Sequence, residues 1–196
     1  AQLLFAPADN KRAEIGIITL DENVASMFEP EAAPPRVRLE QMARLVRGGV
    51  PVEARVDPIL PGVTDGVDVL KHLFRCLAET GVQRVAASTL FLRPAILESL
   101  RRGVDNMEAL ETLLGLYSDS SRMAIRAEHS SVTALSRNKR QEILERVRCI
   151  AKEHGIAVSV CACKNPDLAR GTCGISGSWP KQPRRGFQGS LFEVRR

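Results

Sequence analysis

The chain has 196 residues, of which 44% are hydrophobic and 26% charged, with 28 basic against 23 acidic side chains and a formal net charge of +5. This balance excludes a disordered chain, a collagen-like fibre and a disulfide-packed miniprotein, and the length suits one domain or two small ones. No apolar run approaches the ~20 residues that cross a bilayer, and the opening AQLLFAPADN lacks the basic flank and apolar stretch of a signal peptide. The expectation is a cytoplasmic protein with no membrane partner.

A first strand is predicted over residues 14–19 (EIGIIT). A repeated unit then follows, in residues 47–56 (RGGVPVEARV), 79–88 (ETGVQRVAAS) and 153–162 (EHGIAVSVCA). Each has a Gly where a helix should end and then a β-rich run; Gly suits the left-handed position that closes many helices. Upstream of each Gly lies a helical stripe. Leu39, Met42, Ala43 and Val46 precede Gly49, whereas Val69, Leu70, Leu73 and Leu77 precede Gly81. Ile143, Leu144, Val147, Ile150 and Ala151 precede Gly155. Residues 94–116 read as extra helices between the third and fourth strands.

Strands alternating with helices imply an α/β fold with parallel pairing through right-handed crossovers. The apolar runs at residues 16–18 and 85–87 suggest a sheet covered on both faces. Four such strands fit half of a doubly wound sheet or an arc of a (β/α) barrel. In both, the site lies at the carboxyl ends of the strands. Those ends carry Thr19, Asp21 and Glu22, with Glu29 beyond; Arg55 and Asp57; Ser88 and Thr89; and finally a cysteine cluster. Arg55 and Asp57 share one face of a strand, as a ligand-positioning pair or as an intrastrand ion pair. Residues 58–62 (PILPG) read as a rigid loop start, with Gly62 allowing a tight turn.

Of five cysteines, Cys76 and Cys149 sit within helical patterns, whereas Cys161, Cys163 and Cys173 crowd into thirteen residues. Clustered thiols in a reducing compartment point to metal or redox chemistry, and soft sulfur ligands select iron–sulfur clusters, zinc or copper(I). Cys161 and Cys163, two apart on a strand, address one side, and Asn165–Pro166 with Gly171 can turn Cys173 back. The fourth ligand is open among Cys149, Asp167, water and an outside molecule. The competing reading is three small buried hydrophobes. His72 and His154 read as structural, and His129 as ambiguous. G-x-S-x-G, P-loop and G-x-G-x-x-G motifs are absent from the sequence. Residues 181–196 hold five basic side chains against Glu193, a mobile tail or a nucleic-acid contact. With aromatics at 4%, a base-stacking platform is poorly supplied.

The stretch IITLDENVASMFEPEAAPPRVRLEQMARLVRGGVPVEARVDPILPGVTD, residues 17–65, resembles the radical S-adenosylmethionine (radical SAM) enzymes of the spore photoproduct lyase type. A strand, a Thr/Leu/Asp loop, the Glu29–Pro30 dipeptide, an R-L helix and a P-x-[IL]-P-G-x-x-D loop follow in that order. Residues 159–174 (SVCACKNPDLARGTCG) resemble a cysteine-bearing C-terminal segment of the same group. The resemblance implies a partial (β/α) barrel in which a [4Fe–4S] iron–sulfur cluster cleaves S-adenosyl-L-methionine to a 5′-deoxyadenosyl radical. It places Thr19, Arg55 and Ser88, with Glu29 beside them, at cofactor-binding positions, and leaves the catalytic residues unassigned. The family's C-x-x-x-C-x-x-C cluster loop is absent from this sequence. The resemblance therefore implies the C-terminal half of such a domain over residues 1–174 and a basic tail over 175–196. An N-terminal half or second chain would complete the barrel. A cluster on Cys161, Cys163 and Cys173 would then be auxiliary or structural, and the chain alone inactive. The alternative is a small zinc-binding α/β module whose basic tail contacts nucleic acid. An ordinary hydrolase or transferase with incidental cysteines is a third reading.

Overall fold

The computed structural model describes residues 12–125, 130–160, 162 and 164–169. Cys161, Cys163, Cys173, His129 and the basic tail lie outside the described residues. The elements are β1 (Ala13–Gly16), α1 (Glu22–Phe28), α2 (Pro35–Arg47), β2 (Val52–Ile59), α3 (Val67–Glu79) and β3 (Arg84–Thr89). They continue with α4 (Pro94–Gly103), α5 (Met107–Gly115), β4 (Ser121–Ile125), β5 (Ser130–Ala134), α6 (Arg137–Glu153) and β6 (Ala157–Val160). The fold is α/β. One sheet is parallel, in the order β1-β2-β3-β6, and β4 and β5 form a separate antiparallel pair.

The three repeated units stand as expected. Gly49, Gly81 and Gly155 close α2, α3 and α6 at φ of 75°, 85° and 69°, a left-handed turn that glycine enters without a Cβ clash. Each turn returns the chain to the amino end of the next parallel strand. On α3, Leu70, Leu73, Phe74 and Leu77 are fully buried, whereas Val69, expected among them, is 38% exposed. Phe74 lies four residues beyond Leu70, so the true stripe follows the helical period and leaves Val69 at its edge. All five stripe residues of α6 are buried, and so is Arg140 one turn earlier.

The sheet has two unlike faces, which differs from the even coverage that its apolar runs suggest. Along β2, Val52, Ala54, Val56 and Ile59 are buried, and Glu53, Arg55 and Asp57 alternate with the first three toward the other side. Helix α3 touches both α2 and α6, and the three form one layer on the apolar face. At ~25 cal/mol per Å² of buried apolar surface, this face is the main source of stability. Two strand boundaries also moved. Regular β1 geometry ends at Gly16 rather than Thr19, although the Ile17 amide still donates to the Arg55 carbonyl at 2.9 Å. Strand β2 runs on through Pro58 and Ile59, which read as loop from the sequence.

Helices α4 and α5 occupy the region expected for extra helices. The β4–β5 pair after them was not anticipated; it joins the main body through a bridge between Leu92 and Thr133. Among the described residues, no helix is long and apolar enough to cross a membrane.

Candidate functional site

Parallel register sets Glu14, Glu53, Arg84 and Ala157 in one row across the sheet, and Gly16, Arg55, Ala86 and Ser159 in the next. Alternation puts both rows on the face away from the helix layer. Arg55 is the hub. Its Nη1 donates to Glu14 Oε2 at 3.0 Å and its Nη2 to Asp57 Oδ2 at 2.8 Å. Lys164, in the loop after β6, donates from Nζ to both Asp57 oxygens at 2.9 and 2.7 Å. The Asp57 side chain is only 5% exposed, so its charge depends on these two cations. Burial works against a charged Arg55, but its hydrogen bonds to Asp57 and Glu14 outweigh this and raise its pKa above the ordinary value.

The other sequence-assigned residues are placed as follows. Thr19 is buried, and its Oγ1 accepts the Asp21 amide at 3.1 Å. Asp21 in turn caps α1 by accepting the amides of Asn23 and Val24. Ser88 is fully buried at the end of β3, where its hydroxyl accepts from Asn165 Nδ2 at 3.2 Å. Glu29 does not join Arg55; it receives Arg38 Nη1 at 2.8 Å. Arg38 also donates to the Ala33 and Gly16 carbonyls, so Glu29 fixes α2 to the end of β1. Asp57 and Ser88 thus meet the loop after β6, Arg55 is linked to it through Asp57, Thr19 bonds within its own turn, and Glu29 pairs with Arg38.

That loop is the part the sequence did not reveal. Lys164 pairs with Asp57, Asn165 donates to Ser88, and Asn165 Oδ1 accepts from Arg140 Nη1 at 3.0 Å. Arg140, 1% exposed, also grips Asp167 through both terminal nitrogens and donates from Nε to the Leu135 carbonyl. The Arg140 hydrogen bond holds the Asp167 pKa below its ordinary value. One signal could have exposed this: Arg140 precedes Leu144 by four residues and Val147 by seven, so an arginine occupies the apolar stripe of α6. A charge there needs a buried partner. Thr89 Oγ1 is buried without a hydrogen-bond partner among the described residues.

Elsewhere, a cavity of about 270 Å³ lies between the β2–α3 loop and α6, lined by Pro61, Gly62, Asp65, Lys139, Ile143 and Arg146. It includes none of Thr19, Arg55 and Ser88. Cys76 is half-buried on α3 and Cys149 exposed on α6. Among the described residues, no group of three His, Cys, Asp or Glu side chains could hold a metal ion.

No protein-family model matches the chain. It is 35% identical over 115 residues to the uncharacterized protein ORF301 of Acidianus two-tailed virus. The match covers 57% of this chain and 35% of the viral protein, so the chain is similar to about a third of that relative's length.

Proposed function

We propose that this chain forms part of a radical S-adenosylmethionine-type (β/α) barrel and supplies one side of the S-adenosyl-L-methionine pocket. The observation that carries the reading is the sheet itself. Its strand order never reverses, its crossover helices α2, α3 and α6 form one layer, and its opposite face bears polar side chains. A barrel keeps winding in one sense, as does each half of a doubly wound sheet; the polar face opposite the single helix layer favours the barrel. The charged groups on the polar face suit a zwitterionic cofactor: Arg55 and Lys164 offer positive charge, Glu14 and Asp57 negative. Bound to a reduced iron–sulfur cluster, S-adenosyl-L-methionine supplies the 5′-deoxyadenosyl radical. The residues of this chain bind and orient; the cluster loop would come from a further segment or a second chain.

Equilibrium dialysis with S-adenosyl-L-methionine tests the reading. The protein should bind it, and Arg55→Met should weaken binding about tenfold, ~1.4 kcal/mol. Absence of binding to the wild-type protein would remove the proposal. The iron-reconstituted chain by itself should release no 5′-deoxyadenosine.

A further inference from the structure

Arg55 and Lys164 are held side by side by a carboxylate that is itself almost sealed from solvent. Asp57 is 5% exposed, Arg55 22% and Lys164 35%. Among the described residues, three cations of this network, Arg12, Arg55 and Lys164, share two carboxylates, Glu14 and Asp57, which leaves an excess of one positive charge among them. Hydrogen-bonding capacity is left over as well. A guanidinium carries five N–H donors and an ammonium three. Arg55 uses one at each terminal nitrogen, and Lys164 directs two bonds at Asp57. Among the described residues Arg55 Nε has no hydrogen-bond partner, yet it is not among the buried unpartnered atoms.

Space exists beside Arg55 on the polar face. The neighbours of Arg55 in its row are Gly16 on one side and Ala86 on the other, followed by Ser159. A Cβ built on Gly16 would meet nothing within 4 Å. The Arg55 guanidinium is thus flanked in its row by the two smallest residue types, with open space over Gly16.

We propose that Arg55 and Lys164, braced by Asp57, form a subsite for an oxyanion, the carboxylate or phosphate group of a small ligand, in the open space beside Gly16 and Ala86. The subsite rests on the reading of this face as a ligand pocket and names the chemistry that the pocket accepts. Asp57 sets the spacing of the two cations before the ligand arrives, so the anion gains charge-assisted bonds without having to order them. The planar fork of Arg55 takes two oxygens, and Lys164 adds a point charge.

The test is an NMR titration of the full chain with inorganic phosphate and, separately, with acetate, read at the Arg55 Nε–H. Saturable shifts are expected with at least one anion, and the stronger of the two identifies the source of the oxyanion. Lys164→Met should weaken binding at least tenfold. Gly16→Leu keeps both cations but fills the space beside Arg55, and should weaken it comparably. Arg44→Met, on the exposed face of α2, should bind like the wild type. Backbone spectra establish that each variant is folded. No shift with either anion, or unaltered binding in folded Lys164→Met and Gly16→Leu, would overturn the subsite. Parallel titration with S-adenosyl-L-methionine separates the two readings. Anion binding without cofactor binding keeps the subsite and removes the barrel function, and cofactor binding without any anion response does the reverse.

Discussion

Arg140 shows how much one side chain organises here. It is 1% exposed, and it joins Leu135, Asn165 and Asp167 in a single set of hydrogen bonds. Removing one partner of a buried ion pair typically costs about 3–5 kcal/mol; because the Asp167 side chain is 32% exposed, the lower end applies, and Arg140→Met should lose about 3 kcal/mol in urea denaturation. The pair also predicts a pH dependence. Asp167 has its pKa depressed in the folded chain, chiefly by the Arg140 hydrogen bond. Its contribution is therefore complete above the unfolded value of ~3.9 and is lost as pH falls through the lower folded value. Denaturation curves of wild type and Asp167→Asn should differ at pH 7 and converge in acid. A difference that stays constant with pH would remove the carboxylate from the account. Sequence reading had Asp167 as a possible metal ligand; the structure gives it to Arg140.

Among the elements, the three glycine-ended helices are alike in sequence but not in surroundings. A Cβ on Gly81 would lie 2.8 Å from Val46 Cγ1, whereas one on Gly155 would meet nothing within 4 Å. Both positions have positive φ. Gly155→Ala should cost only the backbone strain, about 1 kcal/mol. Gly81→Ala adds a clash between α2 and the end of α3, which brings the total to about 2–4 kcal/mol. Thermal unfolding of the two variants measures the difference directly, and equal losses would mean that α2 yields freely. Helices and parallel strands could be read because their apolar periods are strong and each ends in Gly. The β4–β5 pair could not. Its strands, SRMAI and SSVTA, are five residues each, half of them polar and without a sustained apolar period, and they are strands because they pair with each other and with Leu92.

On the scale of the whole molecule, the uneven faces of the sheet matter most. One is sealed by α2, α3 and α6, and the other presents the ion network and the oxyanion subsite. Cys161 and Cys163 alternate in sequence with Ala162 and Lys164, which are described, and Lys164 is tied to that network. Anaerobic reconstitution with iron and sulfide should give broad absorbance near ~400 nm, as thiolate-held iron–sulfur clusters do. Replacing Cys161, Cys163 and Cys173 together with Ser should abolish it. Zinc without iron in the wild-type protein would instead favour the zinc-module alternative, and metal in neither would return the cysteines to packing.

The sequence by itself determined the α/β class, the three helix–glycine–strand units, the shared face of Arg55 and Asp57 and the position of Ser88 near a strand end. Each of these follows from local rules: helical period, a turn that only glycine enters easily, and alternation along a strand. It did not determine which carboxylate each cation meets. Lys164 lies 107 residues from Asp57, and Asn165 lies 77 from Ser88. No local preference spans such separations. They close only when hydrophobic burial has stacked the helices on one face and brought the loop after β6 over β2 and β3. The tertiary structure therefore decided that Glu29 belongs to Arg38, that Asp167 belongs to Arg140, and that Arg55 and Lys164 share one carboxylate. Ion pairing is short-ranged and burial-dependent, so its partners are chosen last, after the apolar core has fixed the distances.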